Sequence, residues 1–256
     1  DLLAPHATEI LFAIGAGKRV VATVTHSDHP RAARDLPRVG SYDNVSVEAV
    51  LARKPDLVVA WRSGNPAARI ERLRELGLSV YVNEPRALEG IAESMVRLGR
   101  LAGVPRRARA AADGFRRRLQ RLRTRHAGQE PVRVFYQIWN DPLMTVNGEH
   151  VISDVIRGCG GRNVFSDLDA IAPQVSVEAV LQRDPAAIIA SGRDDSRPDW
   201  LEMWREWPEL SAVREDHLFF VPPDILQRHT PRILDGMERL CRQLARVRSG
   251  EGRSAR

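Results

Sequence analysis

The chain has 256 residues, a formal net charge of +6, 43% hydrophobic residues and 28% charged residues. That is enough chain for two ordinary α/β domains and an ordinary globular composition, without a run approaching the ~18 apolar residues of a membrane span. Much of the positive charge lies in Arg106–His126, but Ala108, Ala112, Phe115, Leu119 and Leu122 recur there at helical spacing. The arginines therefore read as the solvated face of an amphipathic helix, and nucleic acid is not expected as a partner.

The chain starts DLLAPHATEI, without Met, a basic n-region or an apolar h-region. It is read as a mature form from which a signal peptide has been removed. A helix over Ala7–Ile14 precedes a strand RVVATV (Arg19–Val24), and the loop THSDHP follows with His26 and His29. A helix over Val45–Arg53 then precedes DLVVAW (Asp56–Trp61), with Tyr42 just before the helix and Trp61 closing the strand. Ala67–Leu76 is helical and SVYV (Ser79–Val82) is a strand. Strands alternating with helices predict βαβ units and a parallel sheet.

Leu88–Ala102 is a further amphipathic helix, and a long helix runs from Pro105 to His126, with Pro at its first position. The alternation then restarts. VRVFYQIW (Val132–Trp139), AAIIA (Ala186–Ala190) and HLFFV (His217–Val221) are strands. His150–Arg157, Val177–Arg183, Trp200–Trp207 and Pro231–Val247 are helices. Trp200, Trp204 and Trp207 share one helical face and read as packing.

The stretch VSVEAVL occurs twice, at Val45–Leu51 and Val175–Leu181, each followed by a proline and a strand. Repeats 130 residues apart cannot be a solenoid, so the expectation is two Rossmann-like α/β lobes with mainly parallel sheets. The expected domains are residues 1–104, a single long rigid interlobe helix at 105–127, residues 128–247, and a disordered tail at 248–256. A ligand cleft is expected between the lobes.

No GxSxG, HExxH, P-loop or GxGxxG motif occurs, so no catalytic residue is assigned. A soluble two-lobed α/β enzyme stays open as an alternative on the fold alone. Ligands of α/β sheets sit beyond the carboxyl ends of strands, which selects Tyr42, Trp61, Trp139, His26, His29 and Asp224 as candidate ligand contacts. The two histidines of THSDHP make an incomplete metal site, and no metal is expected. Cys159 and Cys241 are two separate buried thiols or one disulfide, the latter worth roughly 4 kcal/mol.

LAPHATEILFAIGAG, THSDHP, LARKPDLVVAW, the CGGRNVF block and PQVSVEAVL, in that order over Leu2–Val247, resemble the periplasmic substrate-binding proteins of ABC importers. The resembled subgroup carries cobalamin, haem or iron–siderophores on two lobes joined by one long helix. DLVVAWRSGN, THSDHP, the CGG block and the final PRI…LC are similar to its cobalamin branch. The resemblance implies a corrinoid ligand and no cofactor, with haem or a ferric siderophore as the alternative cargo. For haem, His26, His29, Tyr42 and His229 are the axial candidates, and for an anionic siderophore Arg62, Arg228 and Arg232 sit near the candidate loops. It implies a monomer, free or lipid-anchored outside the cytoplasm. Its partner would be a dimeric ABC permease in the inner membrane, docked through Glu48 and Glu178, one per lobe. It implies a Cys159–Cys241 disulfide. Ala172 stands where the cobalamin branch carries another tryptophan, a gap that Trp139 on a neighbouring loop is placed to fill.

Overall fold

The computed structural model describes residues 2–192 and 196–250. The chain forms two compact units, Asp1–Pro85 with Glu89–Arg116, and Arg86–Leu88 with Arg117–Arg256. Both units are α/β and built on parallel strands.

In the first unit, β1 (Val58–Trp61) pairs in parallel with β2 (Val80–Asn83), placing Trp61 opposite Asn83. The sheet continues through single bonds rather than regular ladders. Leu2 bridges Val59, and its amide donates to Ala22. Thr23 bridges Arg38 and exchanges bonds with Pro37 and Val39. RVVATV is therefore not the regular strand its β-branched run predicts: Arg19 ends a 3-10 turn, and the segment after it is met by each neighbour for only one or two residues. Three helices surround this sheet's sequence: α1 (Pro5–Ala13), α2 (Val47–Ala52) and α3 (Ala67–Glu75). The core gathers Leu3, Val24, Val45, Val50, Val58, Ala60, Ile70 and Leu73. The long helices α4 (Leu88–Leu101) and α5 (Pro105–His126) follow, and α5 counts with the first unit up to Arg116 and with the second from Arg117.

The second unit has a four-stranded parallel sheet of order β6-β3-β7-β8. Its members are β3 (Val132–Gln137), β6 (Gly161–Asn163), β7 (Ala187–Ala190) and β8 (Leu218–Phe220). All four residues of β7 are buried, as continuous apolar runs in parallel sheets should be. VRVFYQIW is not one strand: it breaks at Ile138, and β4 (Trp139–Asn140) turns back on β5 (Leu143–Met144) as an antiparallel hairpin. Strand β6 lies in GRN, whose glycine and polar residues carry no strand signal.

The helices of this unit are α6 (Val151–Gly158), α7 (Val177–Arg183), α8 (Ser211–Arg214), α9 (Pro223–Leu226) and α10 (Ile233–Ser249). The tryptophan segment Asp199–Glu206 is a 3-10 helix, not the α-helix its spacing predicts. Its packing role holds: Trp204 is fully buried, edge-on to Phe135 at 5.6 Å, with its indole N–H donating 2.7 Å to Gln137. Helix α10 runs two residues past the expected boundary at Val247, because the Arg248 guanidinium donates to the carbonyls of Glu130, Cys159 and Gly160. The rest of the expected tail, residues 251–256, lies outside the described residues. Cys159, at the end of α6, is disulfide-bonded to Cys241 on α10, closing a separation of 82 residues.

The repeated stretch takes the same local form twice. Ser46 and Ser176 cap α2 and α7, accepting from the amides of Ala49 and Ala179 at 3.1 and 3.2 Å. Val50 and Val180 are the fully buried residues beneath. Each helix gives way to a positive-φ residue, Lys54 or Asp184, just before Pro55 or Pro185. A proline after the turn forbids another helical residue, and a strand follows in both copies.

Candidate functional site

Trp61 closes β1 at the carboxyl end of the first unit's sheet, where α/β proteins place ligands. Its ring lies 5.7 Å from that of Tyr42, tilted by 55°, and 5.4 Å edge-on from His6. Tyr42 is exposed, while Trp61 is half-buried, its indole N–H enclosed and without an acceptor among the described residues. One buried amide holds both aromatics. Asn65 Oδ1 accepts from the Trp61 amide at 2.6 Å, and its Nδ2 donates to the carbonyls of Tyr42 at 2.6 Å and Leu3 at 2.9 Å.

The loop after Trp61 is built to let the ring lie flat upon it. A Cβ on Gly64 would fall 1.9 Å from the indole ring, so only glycine admits this approach. Ser63 fastens the same loop to Glu84 through its amide and hydroxyl, both at 3.0 Å. On the other side, Gly40 takes φ +116° to enter a tight turn in which Ser41 bonds Asp43 and Asn44, leaving the Tyr42 ring outward. Asn65, Gly64 and His6 escape sequence reading. A polar residue in RSGN looks like loop, and its partner Leu3 lies 62 residues away.

His26 and His29 are exposed in the same unit, on the loop that follows the extended Ala22–Val24 segment. His26 has φ +64°. The loop is anchored from beneath by a buried hydroxyl trio, with Thr8 to Thr23 at 2.6 Å and Thr23 to Ser27 at 2.7 Å. Arg38 adds bonds to the carbonyls of Ser27 and Ala33, both at 3.0 Å. Polar bonds thus hold the loop while its imidazoles stand in solvent.

In the second unit, the candidates separate into two groups. Trp139 lies at the start of the β4–β5 hairpin and donates its indole N–H to Asp141 at 2.9 Å. With Asn140, Arg197 and Trp200 it lines a concavity of about 520 Å³. Ala172 is exposed and does not appear among those lining residues. Asp224 lies instead in the first turn of α9 and is ion-paired to Arg228 at 2.8 Å, so its charge is already matched within the fold.

One further residue on, the His229 ring lies 6.1 Å from that of His150. His150 caps α6 through Nδ1, which accepts from the Ile152 amide at 3.1 Å. Burial, with the nearby His229 charge, pushes the His150 imidazole down to about 4, so it is neutral at pH 7. Behind α9, Gln227 donates to the hydroxyl of Tyr136, whose complete burial pushes its pKa up to about 12.

Glu48 and Glu178 are both exposed, each two residues past its capping serine. Each carboxyl is held below the usual range by its own backbone amide and then by the capping serine hydroxyl. The fold therefore displays two anions in matching frames, one on each unit. No group of three or more potential metal ligands occurs among the described residues.

The profile of a family described as periplasmic binding protein matches residues 2–225. The chain belongs to that family. It is 41% identical over 243 residues to the vitamin B12-binding protein of Vibrio cholerae serotype O1, covering 94% of this chain and 87% of that protein. A second vitamin B12-binding protein, from Yersinia pestis strain Pestoides F, is 36% identical over 96% of this chain and 85% of its own. Among solved structures, the periplasmic vitamin B12 binding protein BtuF of Vibrio cholerae superposes with a TM-score of 0.87 at 39% identity, covering 96% of each chain. The periplasmic heme-binding protein BhuT superposes at 0.85 with 22% identity, over 96% of this chain and 97% of its own, a likeness of fold alone. By its family the chain is a substrate-binding protein and not an enzyme.

Proposed function

We propose that the protein is an extracytoplasmic receptor that captures a cobalamin-type corrinoid and hands it to the permease of an ABC importer. The observation that carries this reading is the Trp61–Tyr42 pair, two neighbouring aromatic rings held by one buried amide at the carboxyl end of a sheet. Aromatic faces suit the apolar parts of a corrin ring, while polar groups such as the exposed His26 and His29 suit its fringe of amides. In the second unit, Trp139 and Asp224 are the ligand contacts of this reading. The vitamin B12-binding relatives support the choice of ligand.

Glu48 and Glu178 are the docking charges of this reading. They stand in repeated frames, which suits a dimeric permease presenting the same basic surface twice to one receptor monomer. Exposed charge pairs of this kind steer association and fix register more than they add affinity.

Calorimetric titration of unliganded protein with cyanocobalamin, run beside haem and a ferric siderophore, tests the reading. One-to-one binding of cyanocobalamin alone is expected, weakened at least tenfold by Trp61→Ala. Absence of heat with cyanocobalamin, together with a shifted Soret band on adding haem, would replace the cargo.

A further inference from the structure

We propose that the second unit carries an oxyanion site of phosphate class at the N-terminal edge of its sheet, built by Arg133, Arg162 and Ser166. Arg133 and Arg162 are register partners on the adjacent parallel strands β3 and β6. Register partners put their side chains on the same face, so two guanidiniums rise side by side from backbones ~4.8 Å apart. Like charges placed so repel one another unless an anion lies between them.

They line a concavity of about 450 Å³ with Val164, Ser166, Asp167 and Arg183. The acids nearby do not balance this charge. Both carboxylate oxygens of Asp167 are taken by Arg183, at 2.5 and 2.9 Å. Asp184, within reach of the Arg133 charge, accepts instead from the amide and hydroxyl of Ser211, both at 2.8 Å. Arg183 is further held by the Val164 carbonyl and by the Phe165 ring 4.5 Å away. Arg133 gives one N–H to the carbonyl of Arg183, which aims its guanidinium across the concavity. Arg162 is exposed, and neither it nor the Ser166 hydroxyl has a partner among the described residues.

Three guanidiniums against one committed carboxylate, with the Ser166 hydroxyl beside them, give the concavity a net positive lining suited to an anion. A guanidinium fork saturates a carboxylate's two oxygens by itself. A tetrahedral oxyanion offers enough oxygens for two forks side by side and for Ser166 as well. Arg133 and Arg162 stand near the starts of β3 and β6, whereas Asp224 follows β8 and Trp139 lines a different concavity, so the site is separate from the ligand contacts proposed above.

The test follows arginine Nε–H and backbone signals by nuclear magnetic resonance while sodium phosphate replaces sodium chloride at constant ionic strength. Parallel arms use glycerol phosphate and acetate. Saturable shifts confined to Arg133, Arg162, Ser166 and Arg183 are expected, with inorganic phosphate and glycerol phosphate distinguishing a free ion from a phosphomonoester. Arg162→Gln, at an exposed position that does not threaten folding, should weaken binding at least tenfold, and Ser166→Ala about threefold. Shifts that never saturate, an equal response to acetate, or an Arg162→Gln titration matching the wild type would overturn the proposal.

Discussion

Replacing Asn65 by Ala is expected to destabilise the first unit selectively, by about 3 kcal/mol. The side chain is buried and makes three bonds: it accepts from the Trp61 amide and donates to the carbonyls of Leu3 and Tyr42. A net contribution of about 1 kcal/mol for each bond gives the figure, with the stranded Trp61 amide pushing it upward. Trp61 is the only tryptophan of the first unit, so its resonance in protein labelled with 5-fluorotryptophan, assigned through Trp61→Phe, reports that unit alone. In a urea titration the Trp61 midpoint should fall by roughly 2 M for a slope near 1.5 kcal/mol/M, while Trp204 in the second unit keeps its midpoint. Cyanocobalamin affinity should fall with it, since the amide that holds Tyr42 and Trp61 together is gone. A loss below about 1 kcal/mol, or an equal shift at Trp204, would refute the claim that Asn65 ties this wall together.

His150 supplies a pH dependence whose sign is fixed by its neutral form. Its folded pKa of about 4 lies below the unfolded value near 6.5, so stability is fully present above pH 6.5 and is lost as pH falls toward 4. Denaturation of the second unit should show a loss of about 2 kcal/mol between pH 7 and pH 5, reduced by His150→Asn, which keeps a capping side chain. Removing the disulfide with Cys159→Ala and Cys241→Ala should cost the second unit about 4 kcal/mol in thermal or urea unfolding, from the loop of 82 residues it closes. Charge reversal at Glu48 or Glu178 should leave cyanocobalamin titrations unchanged and lower uptake through a reconstituted importer; uptake equal to wild type would dismiss the docking role. Ser46→Ala and Ser176→Ala should each cost about 1 kcal/mol by removing a helix cap, and similar losses at both would show the two frames are energetically alike.

What the sequence determines by itself is whatever depends on neighbours within a few residues. The α/β alternation, the Pro105 start of the long helix, and the twin Ser-capped turns with Glu48 and Glu178 all follow from local period, capping and proline chemistry. The end of β1 could be located as well, which is why Trp61 was legible as a candidate, whereas Trp139 was read as the end of a strand that in fact stops at Gln137 and instead opens β4. The tertiary structure alone decides how those ends are finished. RVVATV loses its ladder because its neighbours pass it briefly, and GRN becomes β6 because β3 lies alongside to supply bonds its composition does not request. Asn65 becomes the keystone of an aromatic wall only because the chain brings Leu3 and Tyr42 to it. Arg133 and Arg162 become adjacent charges only through strand register. In each case a polar group's state depends on which distant atoms share its surroundings, and burial and hydrogen bonding are properties of the folded neighbourhood rather than of the local string.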